Sequence, residues 1–145
     1  MTESRPTTID GLRVALFAYP GRLRDRLVAA ILRGEKTATS SLRTEYLPGG
    51  ADALPVVGER WVVVDSQHRP VAIVETTEVR VIALRDVDAK FATDEGEGFA
   101  SVAAWRESHE RFWRAGDAAA GADRHSLSDD TLVVAERFRF VRRVG

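Results

Sequence analysis

A chain of 145 residues, 44% of them hydrophobic, carries enough apolar side chains to bury the core of one globular domain over 1–145. It has no cysteine, which excludes disulfides, zinc–thiolate sites and a cysteine nucleophile. Its net charge of −1 excludes coating nucleic acid by bulk electrostatics, because nonspecific affinity comes from neutralising many phosphates.

Pro20 and Gly21 open a helix in which Leu23, Leu27, Val28, Ile31 and Leu32 recur at helical spacing, and Gly34 is placed to cap it. The run Thr37, Thr39, Ser40, Ser41 is poor helix material and suits an extended strand entrance. Glu45 to Gly58, with two prolines and three glycines, reads as a loop of a length at which loops tend to carry function. Trp61–Asp65 and Val71–Ala83 are rich in β-branched residues and form a hairpin across Ser66–Pro70, with a bend expected near Thr76 and Thr77. Val87 and Phe91 mark a short helix stopped by Gly96. Ser101 caps another, whose face shows Val102, Trp105, His109, Phe112 and Trp113, with Gly116 beyond its end. Asp117–Asp130 reads as a loop or frayed helix. The last strand, Thr131–Val144, alternates Leu132, Val134, Phe138 and Phe140 on one face with Arg137 and Arg139 on the other. This order implies an α+β fold with a curved sheet or small barrel, not a doubly wound sheet.

No stretch reaches the roughly 20 apolar residues of a membrane helix, and Met1–Asp10 has no signal-peptide run, so a soluble cytoplasmic protein is expected. Gly21–Thr44 holds six basic residues, among them Arg24, Arg26 and Arg43, against Asp25 and Glu35; this is either a solvated face or a local patch for nucleic acid. Tyr46, on the long loop, is a candidate for stacking on a base. Glu136 shares the parity of Leu132, Val134, Phe138 and Phe140, so it either pairs with Lys36 or an arginine inside the fold or lines a pocket. His109 sits on an apolar helix face and reads as a hydrogen-bonded core residue. His68 and His125 lie in connections, and no pair has His-x-x-x-His spacing, so neither a metal nor a cofactor is expected.

Gly34-Glu-Lys-Thr-Ala-Thr39, directly after a helix, resembles the Gly-x-Lys-x-x-Thr signature of the ASCH family. The likeness continues through Leu54-Pro-Val-Val-Gly58, Val62–Asp65, Phe91–Gly98, Trp105-Arg-x-x-His109 and Val133-Val-x-Glu-x-Phe138, and is greatest to the stand-alone bacterial branch. The resemblance implies a PUA-like pseudobarrel with flanking helices and RNA recognition. Some small members are amidohydrolases acting on N4-acetylcytidine, and others are ribonucleases. The amidohydrolase pattern of lysine, threonine three residues on, and a later glutamate falls on Lys36, Thr39 and Glu95. The Glu-Gly-Glu-Gly segment, the Trp105 helix and the longer central loop depart from that pattern.

Amide hydrolysis needs a nucleophile, a group to carry its proton and donors for the oxyanion. Lys36 would serve as a base if desolvation lowered its pKa, or else as a positive charge on the substrate. Glu95 would orient the lysine or carry protons to the departing amine. Side chains three apart point to opposite faces of a straight strand, so Lys36 and Thr39 act together only where the chain turns between them. The same residues also fit a noncatalytic RNA-binding cleft.

Overall fold

The computed structural model describes residues 8–46, 53–119 and 127–145. Within them a six-stranded sheet carries helices on both faces. Its strands are β1 (Thr8–Ile9), β2 (Leu12–Ala15), β3 (Ala38–Leu42), β4 (Arg60–Val64), β5 (Pro70–Ala83) and β6 (Leu132–Arg143). They lie in the order β1-β2-β4-β5-β6-β3, open between its two edge strands. All pairings are antiparallel except β2 with β4. The short strands β1 and β2 were not expected from the sequence, because a strand of two to four residues is too short to show an alternating pattern and gains its identity from the neighbours it pairs with.

Helix α1 (Arg22–Arg33) ends where Gly34 takes the left-handed conformation, φ 80°, and its N–H closes on the carbonyls of Ala30 and Ile31. Leu27, Val28 and Ile31 pack with Phe17, Val63, Ala72, Val74 and Phe138 on one face of the sheet. The expected hairpin is present: β4 and β5 are joined through Asp65–Arg69, and β5 bulges between Thr76 and Glu78, where a bend was expected. The other face, towards β3 and β6, is covered by α2 (Ala89–Asp94) and α3 (Val102–Ala119), which bury Phe91, Trp105 and Trp113 against Ala38, Leu42, Val133 and Ala135.

Two expectations need correction. Leu132 and Phe140 do not face the core; they are 49% and 39% exposed, whereas Val133 and Ala135 are buried. With helices on both faces of the sheet, both parities of β6 have core to face, so alternation alone does not select the buried side. Helix α3 also continues through Gly116 to Ala119. A glycine inside a helix costs about 1 kcal/mol relative to alanine, a penalty that tertiary packing can exceed. His125 and part of each expected long loop lie outside the described residues.

Candidate functional site

Lys36 and Glu95 meet. The chain leaves α1 at Gly34 and turns before β3, so Lys36 precedes the strand and its side chain runs back under it. Its Nζ donates to the carbonyl oxygens of Ala38 at 2.8 Å and Glu95 at 3.1 Å and lies 3.7 Å from Glu95 Oε1. Both residues are 2% exposed. Three acceptors match the three N–H bonds of an ammonium, so this lysine is held as a fixed charge.

Glu95 caps α2, and four side chains surround its carboxylate. Ser40 Oγ donates to Oε2 at 2.7 Å and Trp105 Nε1 donates to the same oxygen at 2.9 Å. His109 Nε2 stands 3.2 Å from Oε1, with Lys36 beyond it. The His109 ring stacks on Trp105, with centroids 4.2 Å apart, and its Nδ1 meets the Trp105 carbonyl at 2.8 Å. Two acceptors on the two ring nitrogens fit an imidazolium. Burial alone would raise the Glu95 carboxyl, but the His109 hydrogen bond and the Lys36 charge outweigh it and hold the group at about 2. Burial opposes charge on His109, and the Glu95 hydrogen bond and charge reverse that, raising its pKa.

Glu97 lies 4.0 Å from His109, and burial pushes its carboxyl up. Glu95, Glu97 and His109 each place one donor atom within 4.8 Å of the others, a grouping that could hold a metal ion. A search for His-x-x-x-His spacing misses it, because its donors come from the α2–α3 connection and from one turn of α3.

Thr39 is near this cluster but faces away from it. Along β3, Ala38, Ser40 and Leu42 look towards α2 and α3, so alternation turns Thr39 and Ser41 to the other face. The hydroxyl that reaches Glu95 is therefore that of Ser40. Thr39 stands directly across the ladder from Glu136. Glu136 Oε2 accepts from Thr76 Oγ1 at 2.7 Å, and Thr76 in turn accepts from Trp61 Nε1 at 3.1 Å. Arg13 stacks over Trp61, 4.1 Å from the ring centroid, and pairs with Glu59 at 3.1 Å. Burial raises the Glu136 carboxyl, and the negative Glu59 adds to the effect. Of the two alternatives for Glu136, pairing with a cation or lining a pocket, the first is not formed: among the described residues neither an arginine nor Lys36 makes an ion pair with it, and its partner is Thr76.

The basic cluster divides. Arg24 is 1% exposed and donates to the carbonyls of Phe17, Ala18 and Asp65, so it ties the chain entering α1 to the β4–β5 turn and is not a surface contact for a ligand. Arg26 is exposed on α1. Arg43 donates to the Tyr46 carbonyl at 2.9 Å, closing the turn after β3, and the Tyr46 hydroxyl shares a hydrogen bond with Ser41 at 2.8 Å. Tyr46 thus lies on the Thr39 side, and burial raises its pKa. Arg24→Ala should cost roughly 2–4 kcal/mol, because it strands buried carbonyls, whereas Arg26→Ala should stay within about 0.5 kcal/mol. Urea melts of the two variants check this; equal shifts would contradict the division.

The open six-stranded α+β sheet clad by helices is that of a PUA-like domain. The ASCH domain model matches residues 14–142, and the chain belongs to the ASCH family. It is similar to protein EF3133 from Enterococcus faecalis V583, with 30% identity and a TM-score of 0.70 over 81% of this chain and 68% of that one. It is also similar to an ASCH domain from Lactobacillus crispatus JV V101, with 34% identity and a TM-score of 0.68 over 80% and 70% of the two chains. An ASCH protein from Zymomonas mobilis, 10% identical with a TM-score of 0.50 over 83% and 70%, shares the fold alone. No curated protein matches the chain. No helix among the described residues is long and apolar enough to cross a membrane.

Proposed function

We propose that the protein recognises a modified nucleoside, free or within RNA, and hydrolyses the amide of an N4-acylated cytidine. The observation that carries this reading is the buried Lys36–Glu95 pair, set beside the strand that bears Thr39. Buried ion pairs contribute little net stability, and a buried group whose ionisation is strongly perturbed, as that of Glu95 is, is a candidate for function. Thr39 supplies a hydroxyl that makes no hydrogen bond among the described residues. Lys36 supplies a fixed positive field, which also reaches Glu136 on the Thr39 side. Tyr46 and Arg26 are the remaining candidates for contact with the base and the phosphate backbone.

A noncatalytic RNA-binding module is the second reading, favoured by one observation: Thr39 and Glu95 face opposite ways across β3. Incubation with N4-acetylcytidine, followed chromatographically, separates the two. Cytidine and acetate should form, and Thr39→Ala should abolish turnover without changing the melting temperature. No cytidine across roughly pH 6 to 9, the range that burial-shifted carboxylates and lysines span, would remove the hydrolase and leave RNA binding or RNA cleavage.

A further inference from the structure

We infer that Glu136, and not Glu95, is the carboxylate that carries the proton for Thr39: the two stand opposite each other on β6 and β3, and only one Glu136 oxygen is taken by a hydrogen bond among the described residues. The assignment rests on the hydrolytic reading above. Directly opposed residues of an antiparallel pair hold their Cβ atoms roughly 5 Å apart on the same face, which brings a carboxylate within reach of a hydroxyl.

The two carboxylates are in contrasting states. Glu95 has both oxygens occupied, by Ser40 and Trp105 on one and by His109 and Lys36 on the other. A carboxylate with both oxygens taken by donors has no open oxygen to receive a proton from a nucleophile. Glu136 is held through Oε2 alone. Trp61 Nε1 donates to Thr76 Oγ1, so the single hydroxyl proton of Thr76 is directed at Glu136 Oε2. Its Oε1 has no hydrogen bond among the described residues. Glu95 is therefore a positioning residue that fixes Lys36 and the start of β3.

In the reaction, Thr39 Oγ bonds to the acyl carbon as its proton passes to Glu136 and the carbonyl π pair moves onto oxygen. Collapse re-forms the carbonyl and breaks the C–N bond, and Glu136 returns the proton to the departing amine. The acyl group is left as an ester on Thr39. Water adds to that ester, giving its proton to Glu136; the C–Oγ bond breaks, Thr39 regains its proton and the acid leaves. The sum is amide plus water to amine plus acid.

The test compares wild type with Glu136→Gln on N4-acetylcytidine. Glutamine still accepts from Thr76 but cannot carry the proton, so kcat should fall at least about 100-fold, with KM and melting temperature little changed. In wild type kcat/KM should rise with pH as Glu136 ionises, and this acidic limb should be absent from any residual Glu136→Gln activity. The charged and titratable groups that influence Glu136 are Glu59, Arg13, Lys36 and Tyr46. Should Glu136→Gln unfold, Glu136→Asp, which keeps the proton chemistry, is expected to retain measurable turnover. An active wild type with Glu136→Gln within about threefold of it, or with the acidic limb intact, overturns the assignment alone. An inactive Glu136→Asp that keeps its fold does the same. An inactive wild type overturns the hydrolytic reading and the assignment with it.

Discussion

Glu95→Gln is expected to destabilise the protein by on the order of 3–5 kcal/mol, the loss typical of removing one partner from a buried charge pair. The carboxylate is the shared acceptor for Ser40, Trp105 and His109 and the counter-ion of Lys36. Glutamine keeps the shape but brings an amide with two N–H donors into a site filled by donors, and leaves the buried ammonium without its counter-charge. For a chain of this size the loss corresponds to a drop of roughly 10 °C or more in melting temperature.

The effect depends on pH with a definite sign. Glu95 sits at about 2 in the fold against an ordinary 4.5, so its contribution is complete above 4.5 and is lost as pH falls towards about 2. His109 is raised from an ordinary 6.5, so its contribution is complete below 6.5 and is lost as pH rises through the raised value. The pair therefore stabilises most between those ordinary values. Burial raises Glu97 and Glu136, so both favour the protonated fold and add to the decline as pH rises. Urea melts carried from about pH 6.5 down towards about 2 should give a curve for wild type that falls more steeply below 4.5 than that of Glu95→Gln. Parallel curves would mean that the carboxylate is not ionised where the geometry places it.

Gly96→Ala is expected to be the most damaging substitution of a residue that takes no part in the chemistry. Gly96 has φ 73°, in the left-handed region, and a Cβ built there would lie 2.7 Å from both the Glu35 carbonyl oxygen and Lys36 Cα. Neither is a flexible side-chain end; both belong to the backbone that leads into β3. The conformational penalty is about 1–3 kcal/mol, and the overlap adds to it by forcing the two segments apart. That separation would also break the Thr37 N–H to Asp94 carbonyl bond, 2.8 Å long, and shift Lys36 off the Glu95 carbonyl. A total loss on the order of 3 kcal/mol or more should appear in a thermal melt, together with impaired activity in whatever fold remains. Gly98→Ala, also at positive φ but with nothing near its Cβ, is the control: it should show the conformational part alone. Equal losses at the two positions would show that the close approach to Lys36 does not matter.

Much of this arrangement is local and was therefore legible. The 3.6-residue spacing of Leu23 to Leu32 and a glycine at position 34 suffice for a helix and its end, because both depend on neighbours within a turn. The β-branched runs of β4 and β5 around a short connection likewise suffice for a hairpin. Lys36, Thr39 and Glu95 stood out through their resemblance to a family pattern, whereas the meeting of Lys36 with Glu95, 59 positions on, is a contact between distant segments.

Other features are decided by contacts between distant segments. Arg24 and Arg26 are indistinguishable in the sequence of α1; one is buried only because the carbonyls of Phe17, Ala18 and Asp65 surround it. Thr39 and Ser40 are adjacent hydroxyls. Which of them meets Glu95 depends on the face that β3 turns to α2 and α3, and a shift of one residue in its pairing with β6 would exchange them. The placement of Thr39 across the ladder from Glu136 has the same origin. It joins residues almost a hundred positions apart through backbone hydrogen bonds that are blind to side-chain identity, so local periodicity carries no trace of it.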